Sequence, residues 1–200
     1  MVLEVSISGA ILGVDYFNQI AAIVRLQLIK RLVIYLSISS FGLTGCTEPF
    51  PGEPACRVEH TQNVPKIANA ACIIRLNGQL LSIIHRSSGK YDLPGGSSNG
   101  KESAQCTAHR ETWEETGFNV EVGKWLGQND KGLQYYACKL AGKFDGTNTT
   151  FPVPEWATGE VTSIQLIDPD AITDKQWRFK GRIIQLRAMF IQVEDSKFIE

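Results

Sequence analysis

Two apolar, β-branched runs, residues 66–75 and 79–86, are separated by Asn77-Gly78. Both central residues of a two-residue hairpin turn need positive φ, which Asn and Gly reach at least cost. The dipeptide therefore predicts an antiparallel hairpin. The second run ends in Tyr91-Asp92-Leu93-Pro94-Gly95-Gly96, which reads as a turn. Residues 102–116 have helical character, and Gly117 supplies the stop. Further strands are expected at 118–126, 133–141 and 160–166, followed by a turn at Asp168-Pro169-Asp170. Ile183, Ile184, Leu186, Met189 and Phe190 recur at helical spacing and predict a closing helix over 175–193. Strands with one helix inside and one at the end predict an α+β domain in layers, an α/β/α sandwich. Hydrophobic residues make up 43% of the 200, enough for one real core.

The net charge is −1, which excludes nucleic acid as a bulk electrostatic partner, because binding to a phosphate backbone requires a basic excess. A small anionic substrate held through a metal remains compatible with that charge.

The chemistry concentrates between Gly95 and Phe118. On a helix, Glu111 and Glu115 are four residues apart and Glu114 lies three from Glu111, so the three carboxylates share a face. Crowded like charges raise one another's pKa, and a divalent cation removes that penalty. Carboxylate oxygens are hard ligands that select Mg²⁺ or Mn²⁺ over zinc. Arg110 is placed to offset part of the cluster or to hold one glutamate by a bidentate contact. A solvated acidic helix face is the simpler reading of a lone Glu-x-x-Glu-Glu. Here, however, the helix is bracketed by Gly-Gly and Gly, which puts the acids beside irregular backbone.

This segment resembles the Nudix box, G-x5-E-x7-R-E-U-x-E-E-x-G-U, with U a bulky aliphatic residue. Gly96, Glu102, Arg110, Glu111, Glu114, Glu115 and Gly117 fall on its fixed positions. Thr112 and Phe118 depart from it at two U positions, and Thr112 is expected to face the core and loosen packing there.

The resemblance implies a Nudix fold over about residues 66–200, with a mixed sheet and a catalytic box helix. It also implies hydrolysis of a phosphoanhydride bond in a nucleoside-diphosphate-like small molecule. Glu111 and Glu115 are then the main Mg²⁺ ligands (Mn²⁺ being possible), with Glu114 a third and the Gly95 carbonyl a weaker candidate. Glu102 would orient Arg110 or the metal shell. Glu155 and Glu160 are candidate general bases, and Arg86 and Tyr91 candidate substrate contacts. His109 reads as structural. The alternative is a Nudix-fold protein that binds a nucleotide or sugar nucleotide without cleaving it.

Residues 1–45 read differently. Their charged side chains are Glu4, Asp15, Arg25, Lys30 and Arg31, the bases lying directly before the apolar run that starts at Leu32. A basic flank followed by a short apolar stretch is the layout of an export signal, too short to span a bilayer comfortably. Leu43-Thr44-Gly45-Cys46 resembles a bacterial lipobox, which implies lipidation of Cys46 and a protein anchored in the cell envelope facing the periplasm. The alternatives are a cytoplasmic protein or an inner-membrane helix. Residues 1–24 hold two acids and no base, unlike the head of a signal peptide, which raises the possibility of an internal start near Val24. Residues 46–65, with four prolines, read as an extended tether. Cys56, Cys72, Cys106 and Cys138 then form an even set in an exported domain and predict two disulfides. The preferred pairing is Cys56 with Cys72 and Cys106 with Cys138, each closing a modest loop. Oligomeric state is not legible.

Overall fold

The computed structural model describes residues 51–59, 67–140 and 148–196, together with Arg25. The expected export signal, Arg25 apart, and the expected lipidation site Cys46 lie outside the described residues.

The Asn77-Gly78 turn forms as the dipeptide predicts, with φ of 51° and 74° at its two residues. It joins β2 (Arg75–Leu76) to β3 (Gln79–His85). Just ahead of it, β1 (Ala70–Ile73) passes through Ile74 into β2. Leu81 N–H donates to the Ile74 carbonyl across that junction. The next short strands are β4 (Lys90–Asp92) and β5 (Gly95–Gly96), followed by helix α1 (Ala104–Thr116). Then come β6 (Val120–Gln128), β7 (Gln134–Leu140), β8 (Thr150–Phe151), β9 (Val161–Ile167) and helix α2 (Ile183–Phe190).

The strands form two sheets. One is mixed, in the order β5-β1-β7-β6, with β1 and β7 parallel and the other pairs antiparallel. The other runs β2-β3-β9-β8, with β4 also on β3, and is antiparallel throughout. Strand β1 is buried on both faces, so its alternate side chains feed two cores. Ala70, Cys72 and Ile74 join the core under α1 with Ala104, Ala108, Val120 and Tyr136. Ala71 and Ile73 join the core under α2 with Leu186, Met189, Phe190 and Trp177. The layered α+β expectation with a mixed sheet therefore holds.

Two local expectations need correction. Gly95-Gly96 is more than a turn: it pairs with β1, Gly95 opposite Ala71. The closing helix begins at Ile183, not near 175. Residues 176–178 are instead drawn alongside β4, where Tyr91 N–H donates to the Gln176 carbonyl and Arg178 N–H to the Tyr91 carbonyl. Gly181, at φ 79°, then turns the chain into the helix. Thr112 faces the core as expected and is fully buried, its hydroxyl donating to the Ala108 carbonyl at 2.7 Å.

The disulfides also differ from the preferred pairing. Cys72 bonds Cys138, and Cys56 bonds Cys106, each with Cα atoms 5.5 Å apart. Cys72 lies opposite Tyr136 in the parallel β1–β7 ladder, and both Cys72 and Cys138 face the core under α1. Short sequence separation was a poor guide because the parallel pairing places these strands side by side. Cys56–Cys106 fastens residues 51–59 to the first turn of α1. Val58 forms a bridge with Val122, flanked by Glu59 N–H to the Val122 carbonyl and Val122 N–H to the Arg57 carbonyl. The part of the expected tether that is described is therefore held on the domain, and it covers the edge of β6.

Candidate active site

Helix α1 starts cleanly because Ser103 caps it, its hydroxyl accepting the Cys106 N–H. It ends at Gly117, in the left-handed region at φ 72°, whose N–H returns to the Trp113 carbonyl. These two ends set the rotation of the helix and hence where its acids point.

Glu111 and Glu115 face β5. Glu115 Oε2 accepts the Gly95 N–H at 2.7 Å, and the Glu111 carboxylate fills the space where a side chain at Gly96 would begin. Gly95 in turn lies against Ala71 so closely that an added Cβ would strike the β1 backbone. Both glycines are therefore required by close approach. Glu114 turns the other way, towards Arg110, and is more exposed.

Arg110 is the hub. Its Nε donates to both oxygens of Glu102 at 3.0 and 3.2 Å, and Nη2 reaches Glu102 Oε1 and the Ser97 carbonyl at 2.7 and 2.8 Å. Nη1 lies 2.7 Å from Glu114 and 2.9 Å from Glu111. One guanidinium thus touches three of the four box acids and one loop carbonyl, using its fork in full. Burial works against the Glu102 charge, but the Arg110 hydrogen bonds hold that carboxyl below the ordinary glutamate range.

The other acids are pushed the opposite way. Burial drives Glu115 well above the usual carboxylate range, opposed mainly by the Gly95 N–H and reinforced by the Asp92, Glu111 and Glu160 charges. Burial also raises Glu111 despite Arg110, with Glu114 and Glu160 adding to the shift. Glu114 is raised by burial too, against Arg110, and feels the charge of Glu53 on the disulfide-held arm. Among the described residues Glu115 is in no ion pair.

No three acidic, His or Cys side chains among the described residues converge closely enough to form a ready cation cage. The acids are divided, Glu114 having turned to Arg110. The donor chemistry nonetheless fits a hard divalent ion: Glu111, half-buried and paired with Arg110, and Glu115, buried and in no ion pair among the described residues, both offer hard oxygens against β5.

Of the two general-base candidates, Glu160 is felt electrostatically by both Glu111 and Glu115 and stands exposed just before β9. Glu155 lies on a 3-10 turn, Glu155–Ala157, and is exposed as well. His109 is fully buried with Nε2 3.1 Å from Asn119 Oδ1, a structural position.

A cleft of about 260 Å³ opens beside Gly95, Gly96 and Ser97. Its walls come from Asn129, Lys131 and Tyr135 on one side and Trp177, Arg178 and Phe179 on the other. Arg86 and Tyr91 do not line it. Arg86 caps the Thr158 carbonyl at 2.6 Å, and Tyr91 acts through its backbone by holding residues 176–178 in place. Sequence reading missed the cleft walls because Trp177-Arg178-Phe179 was absorbed into the expected helix. The run of two aromatics around a cation was the available signal.

A NUDIX domain model matches residues 65–186. The chain belongs to the Nudix hydrolase family. This Nudix domain is 30% identical over 111 residues to a MutT-like protein of Streptomyces ambofaciens, covering 53% of this chain and 72% of that protein. It also resembles the crystal structure of an ADP-ribose pyrophosphatase from Streptococcus suis 89-1591. That match has a TM-score of 0.50 and 20% identity, covering 67% of this chain and 97% of the other. At that identity the likeness speaks for the fold alone. The match to the family model spans the box helix and both walls of the cleft, so the Nudix hydrolase has its carboxylates and its pocket within one recognised unit.

Proposed function

We propose that this Nudix hydrolase cleaves a phosphoanhydride bond in a diphosphate-linked small molecule, with Mg²⁺ (or Mn²⁺) held by Glu111 and Glu115 and assisted by Glu114. The observation that carries the reading is the pair of carboxylates held against Gly95-Gly96, Glu115 on the Gly95 N–H and Glu111 beside Gly96, two glycines that also line the cleft. A bound cation would offset the charge of the diphosphate oxygens and make an attacking water more acidic. Arg110, locked on Glu102, keeps Glu111 and Glu114 from reorienting as charge accumulates. Glu160, exposed just before β9, is the candidate general base in this reading. The cleft between the aromatic and polar walls would take the organic moiety, which nucleosides and sugars both satisfy.

The proposal extends to location. Two disulfides within the domain support an oxidising compartment, in keeping with an export signal and a lipid on Cys46 that anchors the protein in the cell envelope facing the periplasm. Substrates outside the cytoplasm follow from that placement. Phosphate or nucleotide release from a panel of dinucleotides and sugar nucleotides, with and without Mg²⁺, tests the chemistry. No turnover of any member at saturating Mg²⁺ would favour a binding protein instead. Fatty-acid labelling of wild type and Cys46→Ser tests the anchor, and equal incorporation in both would exclude it.

A further inference from the structure

Strand β4 and residues 176–179 are joined by more than backbone. Tyr91 N–H donates to the Gln176 carbonyl at 3.0 Å and Arg178 N–H to the Tyr91 carbonyl at 2.9 Å, on either side of a bridge between Tyr91 and Trp177. An ion pair is added to this: Arg178 Nη1 lies 2.8 Å from Asp92 Oδ2, between residues 86 apart in the chain.

Asp92 is fixed for that contact. It is buried, its Oδ1 accepts the Leu93 N–H at 2.8 Å, and its carbonyl accepts the Ser82 hydroxyl of β3 at 2.8 Å. The Arg178 guanidinium also packs over the Phe179 ring, 5.2 Å from the centroid. Among the described residues Asp92 is the hydrogen-bond partner of that guanidinium, so most of its N–H donors are not used by the protein. Asp92, Gly95, Gly96, Arg178 and Phe179 all line one cleft. The strip from Asp92 to Gly96 is anchored in turn, the Pro94 carbonyl accepting the Cys72 N–H at 3.0 Å and the Gly95 N–H bonding Glu115. One short segment therefore holds Arg178 at its start and Glu115 near its end.

Stability alone is a poor reason for this pair. Burial pushes the Asp92 carboxyl above the usual carboxylate range, with Arg178 opposing it, and desolvation offsets much of what a buried ion pair gains. Its effect is geometric: it fixes where a guanidinium with unused donors stands in the cleft wall. We propose that Arg178 contacts the bound substrate through those donors and that Asp92 is the positioning residue that holds it there. This rests on the proposed function, which seats the organic moiety of the substrate in the cleft. Arg178 then takes the role that the sequence suggested for Arg86, whose own Nε is engaged by the Thr158 carbonyl.

Binding and turnover can be tested apart. The analogues α,β-methylene-ADP and α,β-methylene-UDP carry carbon in the diphosphate bridge and are not cleaved there, so calorimetry with Mg²⁺ reads contact without chemistry. Asp92→Asn and Arg178→Gln should each weaken binding of at least one analogue about tenfold, the scale of one hydrogen bond to a charged group. The double variant should also lose about tenfold, not about a hundredfold, because Asp92 acts through Arg178. In turnover the same changes should raise KM about tenfold and leave kcat within about twofold, the pattern of lost binding that is shared by ground and transition states. Thermal melts establish which variants fold. The neutral double variant leaves no unpaired buried charge, so it supplies the comparison with wild type even where a single variant unfolds. Binding of neither analogue by the wild type, unchanged affinity in the double variant, additive losses, or a fall in kcat with KM unchanged would overturn the inference. The expected binding losses, without turnover of any dinucleotide or sugar nucleotide by the wild type, would count against the catalytic reading and leave the Asp92–Arg178 assignment standing.

Discussion

The Gly95 backbone N–H donates to Glu115 Oε2 at 2.7 Å, joining a two-residue strand to the last turn of the box helix. A glutamine side-chain oxygen can accept the same bond. Glu115→Gln and Glu111→Gln should therefore keep the fold while cutting Mg²⁺-dependent turnover by at least about 10²-fold each, comparable to losing one major electrostatic contribution. Metal-free stability should hold or rise, since a buried charge has been removed. Glu121→Gln, on β6 outside the cluster, is the control and should change neither property. Steady-state rates across a Mg²⁺ titration, paired with thermal melts, decide the matter. Near wild-type rates for both variants would mean that the acidic face does no chemistry.

The same acids make stability depend on pH. Glu111 and Glu115 have folded-state values raised above the ordinary 4.5, so the folded form holds their protons more tightly than the unfolded chain does. Their contribution is fully present below 4.5 and is lost as pH rises through the elevated folded values. Glu102 has the opposite sign: its lowered value contributes stability above 4.5 that is lost as pH falls further. In EDTA the melting temperature should decline as pH rises above the ordinary 4.5 through the raised folded values. Mg²⁺ should flatten that decline, and Glu115→Gln should reduce it without metal. An identical slope in wild type and variant would show that Glu115 is not the group responsible.

The paired glycines should separate under substitution. A Cβ at Gly96 meets the flexible end of Glu111, so Gly96→Ala should displace that carboxylate. The expected result is little loss of stability but a fall in turnover of roughly 10- to 100-fold, the scale set by misplacing a reacting group by about 1 Å. A Cβ at Gly95 meets the Ala71 backbone, which cannot move aside. Gly95→Ala should cost about 1–3 kcal/mol of stability, as overpacking does. Denaturant unfolding alongside rates distinguishes them, and equal effects on both quantities would contradict the geometry.

The disulfides predict a peptide map. Non-reducing digestion should yield Cys56–Cys106 and Cys72–Cys138 linked peptides, with no alkylatable thiol among the four before reduction. Their sequence separations are 50 and 66 residues. Loop entropy puts the stabilisation from each at about 4 kcal/mol when the other is absent. Cys56→Ser should release the arm that carries Glu53 while the Cys72–Cys138 core bond remains. Cys72→Ser should cost more, since it also leaves a hydroxyl and a free thiol inside the core under α1.

Most of the site was legible in sequence because it lies on one helix. Fixed helical spacing puts Glu111, Glu114 and Glu115 within a turn of each other whatever surrounds them. Asn77-Gly78 and Gly117 likewise act locally, through backbone conformations that few other residues adopt. The family motif and these local rules together set the sandwich and the box helix, and the even count of Cys56, Cys72, Cys106 and Cys138 gave the disulfide-forming set.

What only the tertiary structure decided are the relationships between segments far apart in the chain. The parallel β1–β7 ladder brought Cys72 to Cys138, which no loop-length argument could select. The hydrogen bonds of Tyr91 drew residues 176–178 out of an apolar pattern that helical periodicity alone would have extended, and so set Trp177, Arg178 and Phe179 in a cleft wall. Arg110 spreads its fork over Glu102, Glu111, Glu114 and the Ser97 carbonyl, the last of which comes from the loop before the helix and is within reach only in the folded chain. Local conformational preference acts over a few residues and can be read in one dimension. Register, cross-strand pairing and the filling of a cavity depend on every packed neighbour at once, so they emerge only when the chain is folded.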